Sequence, residues 1–83
     1  MILEIGELLC FYTDGTVEAV NPEGEVFGYD RLKAFLLEKR GGSAREIVET
    51  FMADLTAFAD GVPFGDDVTI SIVKRVPLFS VES

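Results

Sequence analysis

Leu8-Leu9-Cys10-Phe11-Tyr12-Thr13-Asp14-Gly15 is the stretch on which the fold turns. Residues 7–12 form a short, nearly continuous apolar run, the pattern of a strand covered on both faces and therefore central in its sheet. The run stops at Thr13-Asp14-Gly15, where glycine can take a positive φ and aspartate tolerates turn geometry. This reading predicts a strand that delivers a carboxylate at its end.

Downstream, Asn21-Pro22-Glu23-Gly24 places Asn first, Pro second and Gly fourth, the preferences of a type I turn, so residues 16–28 are expected to be irregular. Tyr29, Leu32, Phe35 and Leu36 then recur at helical spacing, with Asp30 near the start and Lys39 and Arg40 in the last turn. They predict a helix over about 29–40, ended by Gly41-Gly42. Ser43-Ala44-Arg45-Glu46 is a capping box, in which the serine and glutamate side chains each satisfy a backbone N–H that the helix start leaves without a partner. The helix that follows, about 44–60, carries the stripe Ile47, Val48, Phe51, Leu55, Phe58 and Ala59 and is stopped by Gly61 and Pro63. Val68 to Val73 alternates apolar and polar β-formers and predicts a strand over about 67–75. Pro77 lacks a ladder donor, which leaves 76–83 as an edge segment or a tail.

With 83 residues the chain holds one domain at most, and its 48% apolar content, with seven Phe and no Trp, is enough for a folded core. A net charge of −8 repels phosphate backbones and anionic lipid, so neither nucleic acid nor a membrane surface is an expected partner. Cys10 is the single cysteine. It sits inside the apolar run, so a buried, reduced thiol and a cytoplasmic location are expected. No basic leader precedes an apolar stretch, and no apolar stretch approaches the roughly 20 residues of a membrane span.

The sequence has no His, so the usual nucleophile-and-base pairs and the Cys/His type of metal site are absent. Oxygen chemistry remains. Asp14 follows one expected strand and Asp66-Asp67 precedes another, so antiparallel pairing of the two strands brings these carboxylates to one sheet end. Carboxylates gathered there suit hard cations such as Mg²⁺ and Mn²⁺. Two such ions about 4 Å apart can activate a water for in-line attack on phosphorus. On spacing alone, an ordinary pair of surface turns fits the same residues.

Leu8 to Gly15 resembles the strand-plus-acid motif of metal-dependent type 2C (PPM) protein serine/threonine phosphatases, in particular the bacterial sporulation and sigma-factor-regulator branch (SpoIIE/RsbU-like). Glu18-Ala19, Asn21, Gly24-Glu25 and Phe27-Gly28 follow in the family's order, then two helices, then Asp66-Asp67-Val68-Thr69 opening a last strand. Thr16-Val17 departs from the family, which has a hydrophobic residue followed by Thr.

The resemblance implies an α+β fold, β-strands packed against two antiparallel helices, equivalent to the C-terminal portion of the family's α/β-β/α sandwich. It implies Asp14 and Asp66 as ligands of a Mn²⁺ or Mg²⁺ pair, with Asp67 and Gly15 standing beside the ligands or joining them. The implied substrate is a phosphoprotein, by analogy an anti-anti-sigma factor. The family domain is two to three times longer, and its upstream half carries further metal-binding acids. On that comparison the chain is expected to be a fragment, inactive alone and weak or lacking in metal binding. A different reading is a non-catalytic module derived from such a domain, whose uncovered sheet drives homo-oligomer formation.

Overall fold

The computed structural model describes residues 1–74. Arg75 and the expected tail at 76–83 lie outside the described residues. In chain order the elements are strand β1 (Ile2–Ile5), strand β2 (Leu8–Tyr12), a single helical turn α1 (Asp14–Val17), helix α2 (Gly28–Lys39), helix α3 (Ala44–Ala59) and strand β3 (Ile70–Lys74). The strands form one antiparallel sheet in the order β1-β2-β3, so the α+β class is confirmed and the run at Leu8–Tyr12 is the central strand.

Strand alternation sends Leu3 and Ile5 of β1, Leu8, Cys10 and Tyr12 of β2, and Ile72 of β3 to the face that packs on the helices, and all six are buried. From α2, Leu32, Phe35 and Leu36 meet them, and from α3, Ile47, Phe51 and Leu55. Phe51 is fully buried and touches Phe27 and Phe35 edge-on, with ring centroids 5.6 and 5.3 Å away. Such T-shaped contacts add about 0.5–1.5 kcal/mol each to the burial of the rings.

The other sheet face, expected to be covered too, has no cover among the described residues. Ile2, Phe11 and Val73 point that way and are 62%, 38% and 46% exposed, with Leu9 half-buried between them. The apolar run is continuous because both faces of β2 are hydrophobic, but only one has a partner among the described residues.

Helix α3 is closed by the devices its sequence carries. Ser43 Oγ accepts from the Glu46 amide at 3.1 Å while Glu46 Oε1 accepts from the Ser43 amide at 3.0 Å, the reciprocal capping box. At the far end of α3, Asp60 and Gly61 take positive φ values of 47° and 92°. The end of α2 is held from the sheet: Lys74 Nζ donates to the carbonyls of Arg40 and Gly42 at 2.9 and 2.8 Å. A cation on carbonyls that the helix leaves without N–H partners is favoured electrostatically, so Lys74 is tied to the fold rather than free in solvent.

Candidate functional site

The site is built at the end of the sheet where β2 stops and β3 starts. Tyr12 stands opposite Ile70 in the antiparallel ladder, so Thr13-Asp14-Gly15 and Asp66-Asp67-Val68-Thr69 leave the sheet at the same end. The condition for bringing the two acidic turns together is therefore met by the strand pairing itself.

The strand expected from residue 67 begins only at Ile70, because the backbone before it is engaged differently. Thr13 donates its amide to the Thr69 carbonyl at 3.2 Å, and its hydroxyl accepts from the Thr69 amide at 3.1 Å. The same hydroxyl donates to the Asp67 carbonyl at 3.0 Å. Thr16, fully buried, donates its hydroxyl to the Thr69 carbonyl at 2.8 Å. These bonds wind Asp66–Thr69 around the end of β2 in place of a regular ladder.

Gly15 completes the junction. It is buried, and a Cβ placed on it would overlap the Asp67 carbonyl oxygen and come within 3.1 Å of the Asp66 carbonyl carbon. Only a residue without a side chain lets the two acidic turns approach so closely.

The acids themselves face solvent. Asp14, Asp66 and Asp67 are all exposed, and Asp66 Oδ1 accepts from the Asp67 amide at 2.7 Å. Among the described residues no cation pairs with any of the three. Asp14 leaves its mark on Tyr12: burial, first of all, pushes the Tyr12 phenol above its ordinary value, and the neighbouring charges, Asp14 among them, add to the rise.

A cleft of about 260 Å³ at this sheet end is lined by Gly15, Glu18, Gly65 and Asp66. Glu18 thus shares a surface with Asp66, and the sequence reading did not select it. Residues 16–28 were expected to be irregular, but Asp14–Val17 is a helical turn with the Glu18 amide bonded to the Asp14 carbonyl at 2.9 Å. Its detectable signal is the i, i+4 spacing of Asp14 and Glu18 once that turn is helical. The rest of 16–28 is a tight loop in which the Gly24 amide reaches the Asn21 carbonyl at 2.9 Å and Val20 bridges Val26.

A larger groove between the end of α2 and the start of α3, lined by Glu38, Lys39, Glu46 and Glu49, lies at the opposite end of β3. Its Glu46 is committed to the capping box and its Gly42 carbonyl to Lys74, with the buried Ile47 beneath, so its lining belongs to the helix ends. Cys10 is buried in the sheet, and burial pushes its thiol up to about 11, so it is an inert core residue.

Oxygen donors of the kind a hard cation takes are present at the β2–β3 end, but not in the number a closed site needs. Among the described residues no group of three or more His, Cys, Asp or Glu side chains is placed to hold a metal ion.

An α+β layer with acid-bearing turns at one sheet end is compatible with a piece of a PPM phosphatase fold, and the family match supports a phosphatase-related domain region of that class. The family model for stage II sporulation protein E (SpoIIE) matches residues 1–76, and the chain belongs to that family. Protein IcfG of Synechocystis sp. (strain ATCC 27184 / PCC 6803 / Kazusa) is 34% identical to it over 73 residues, which cover 88% of this chain and 11% of that relative. The chain thus spans about a tenth of that relative's length. No solved structure matches. No helix among the described residues is long and apolar enough to cross a membrane.

Proposed function

We propose that this chain is the part of a metal-dependent protein serine/threonine phosphatase that contributes Asp14 and Asp66 to a Mn²⁺ or Mg²⁺ pair. The observation that carries this reading is the convergence of Asp14-Gly15 and Asp66-Asp67 at one sheet end, pressed together at a glycine that admits no side chain. When bound, such ions polarise a phosphoryl oxygen and lower the pKa of a coordinated water.

The chain's own residues supply placement and charge. Asp14 is fixed at the start of α1 and Asp66 on a turn clasped to β2, and both present carboxylates to solvent with no competing cation among the described residues. The remaining ligands come, in this proposal, from sequence outside the chain, in keeping with the short share of the relative that the chain spans. The substrate is a phosphoserine or phosphothreonine on a regulatory protein, by analogy an anti-anti-sigma factor, and the setting is cytoplasmic. Mn²⁺-dependent hydrolysis of a phosphoserine protein by the parent protein, abolished by Asp14→Asn or Asp66→Asn, is the expected result. Undiminished turnover in both variants overturns the assignment.

The exposed apolar face of the sheet favours a second reading, in which this segment associates with a second copy of itself through Ile2, Leu9, Phe11 and Val73. These side chains share the face with Glu4, opposite Leu9, and Ser71, opposite Phe11, and exposed apolar surface of this kind is covered when it is large. Light scattering coupled to gel filtration gives a dimer or larger species at micromolar concentration if that is so, and a monomer if the face stays open.

A further inference from the structure

The hydroxyls of Thr13 and Thr16 carry more than a strand end needs. Each side chain has one proton to give. Thr13 gives its proton to the Asp67 carbonyl at 3.0 Å and receives the Thr69 amide at 3.1 Å. Thr16 gives its proton to the Thr69 carbonyl at 2.8 Å. The two hydroxyl oxygens stand 3.4 Å apart, and with both protons committed elsewhere neither donates to the other. Every one of these bonds crosses from the turn that holds Asp14 to the segment that holds Asp66.

We infer that Thr13 is a positioning residue for the carboxylates, a clasp whose hydroxyl sets the distance between the Asp14 and Asp66 turns, with Thr16 as its buried anchor. This rests on the proposal that those two acids bind metal. Thr13 flanks Asp14 in sequence and grips Asp67, the residue after Asp66, so one hydroxyl ties together the neighbours of both acids. Its bonds lie at the surface, where water competes and net stabilisation is small. Their value is therefore geometric: they fix where the acids stand more than they hold the fold together. Thr16 differs, because its side chain is fully buried and its loss leaves the Thr69 carbonyl with the Thr13 amide alone.

The test is Mn²⁺ titration of the chain, followed by calorimetry and by the electron paramagnetic resonance signal of the free ion, in wild type, Thr13→Val, Thr13→Ser and Asp14→Asn. Groups that orient metal ligands from behind commonly change affinity 10–100-fold, so Thr13→Val is expected to weaken Mn²⁺ binding about tenfold. Thr13→Ser, which keeps the hydroxyl, restores it, and the melting temperatures of both variants stay close to wild type. A wild-type chain whose binding falls with Asp14→Asn but not with Thr13→Val overturns the clasp and leaves the metal proposal standing. Binding indifferent to Asp14→Asn overturns the metal proposal and the clasp with it. Mg²⁺ titration by NMR gives a check that needs no variant. The Thr69 amide resonance should move together with those of Asp14 and Asp66, and a stationary Thr69 signal beside moving acids contradicts the inference.

Discussion

Gly15 lies directly against the Asp67 carbonyl, and the space a methyl group would need on its α-carbon is already filled by backbone. Backbone cannot swing aside as a flexible side chain can. Gly15→Ala must therefore push the Asp66–Thr69 segment off the end of β2 or bend the α1 turn. The expected cost is about 1–3 kcal/mol, the range for forced overpacking. Urea unfolding reads it, and amide shifts of residues 66–69 show where the strain goes. An alanine variant as stable as wild type, with those shifts unmoved, would mean the two turns are not in contact.

The capping box at α3 predicts a loss of about 1 kcal/mol for Ser43→Ala, seen as a lower melting temperature. Its partner adds a pH signature. Hydrogen bonds from Ser43, the backbone one foremost, hold the Glu46 carboxyl below its ordinary value of 4.5. A folded-state pKa that is depressed contributes stability above the unfolded value, and that stability fades as pH falls through the folded one. The gap in melting temperature between wild type and Glu46→Ala should thus be open near neutral pH and close in acid. A gap that is constant from about pH 6 to about pH 3 excludes the ionised carboxylate as the cause.

Burial acts on Cys10 in the opposite sense, raising the thiol from its ordinary 9.0 to about 11. The folded state resists ionisation that the unfolded chain accepts. Cys10 therefore favours folding fully below about pH 9 and progressively less as pH climbs from 9.0 toward about 11. At neutral pH the native thiol should react with a disulfide reagent far more slowly than the denatured chain does. Equal rates in the two states would place Cys10 at the surface.

The sequence is most legible where one physical rule dominates. The capping box marks the start of α3 because Ser43 and Glu46 are spaced to satisfy each other, and α2 shows its periodicity in Leu32, Phe35 and Leu36. The candidate site was legible as two acidic turns whose meeting depended on strand pairing, which the β2–β3 register supplies. What went unread was short or contextual. In β1 the exposed Ile2 is as apolar as the buried Leu3 and Ile5, so the alternation of a four-residue strand is disguised. The α1 turn is too short to show a helical period and contains Gly15, a poor helix former. The late start of β3 follows from the threonine bonds to Asp67 and Thr69, a tertiary choice that no local propensity records. Glu18 stood in the family's order but not among the expected site residues, because its place beside Asp66 depends on that same unread turn.

Mn²⁺ titration of the purified chain by calorimetry bears most directly on the central claim, that Asp14 and Asp66 are halves of one metal-binding sheet end. Among the described residues no three acids are grouped to close an oxygen-rich coordination shell, so binding is expected only at about high micromolar to millimolar concentration. Each of Asp14→Asn and Asp66→Asn should weaken it by about tenfold or more. Hydrolysis of an aryl phosphate by the chain alone should be negligible. Binding that survives both substitutions puts the metal elsewhere and contradicts the claim. Robust Mn²⁺-dependent turnover by the isolated chain contradicts the view that the site needs further ligands.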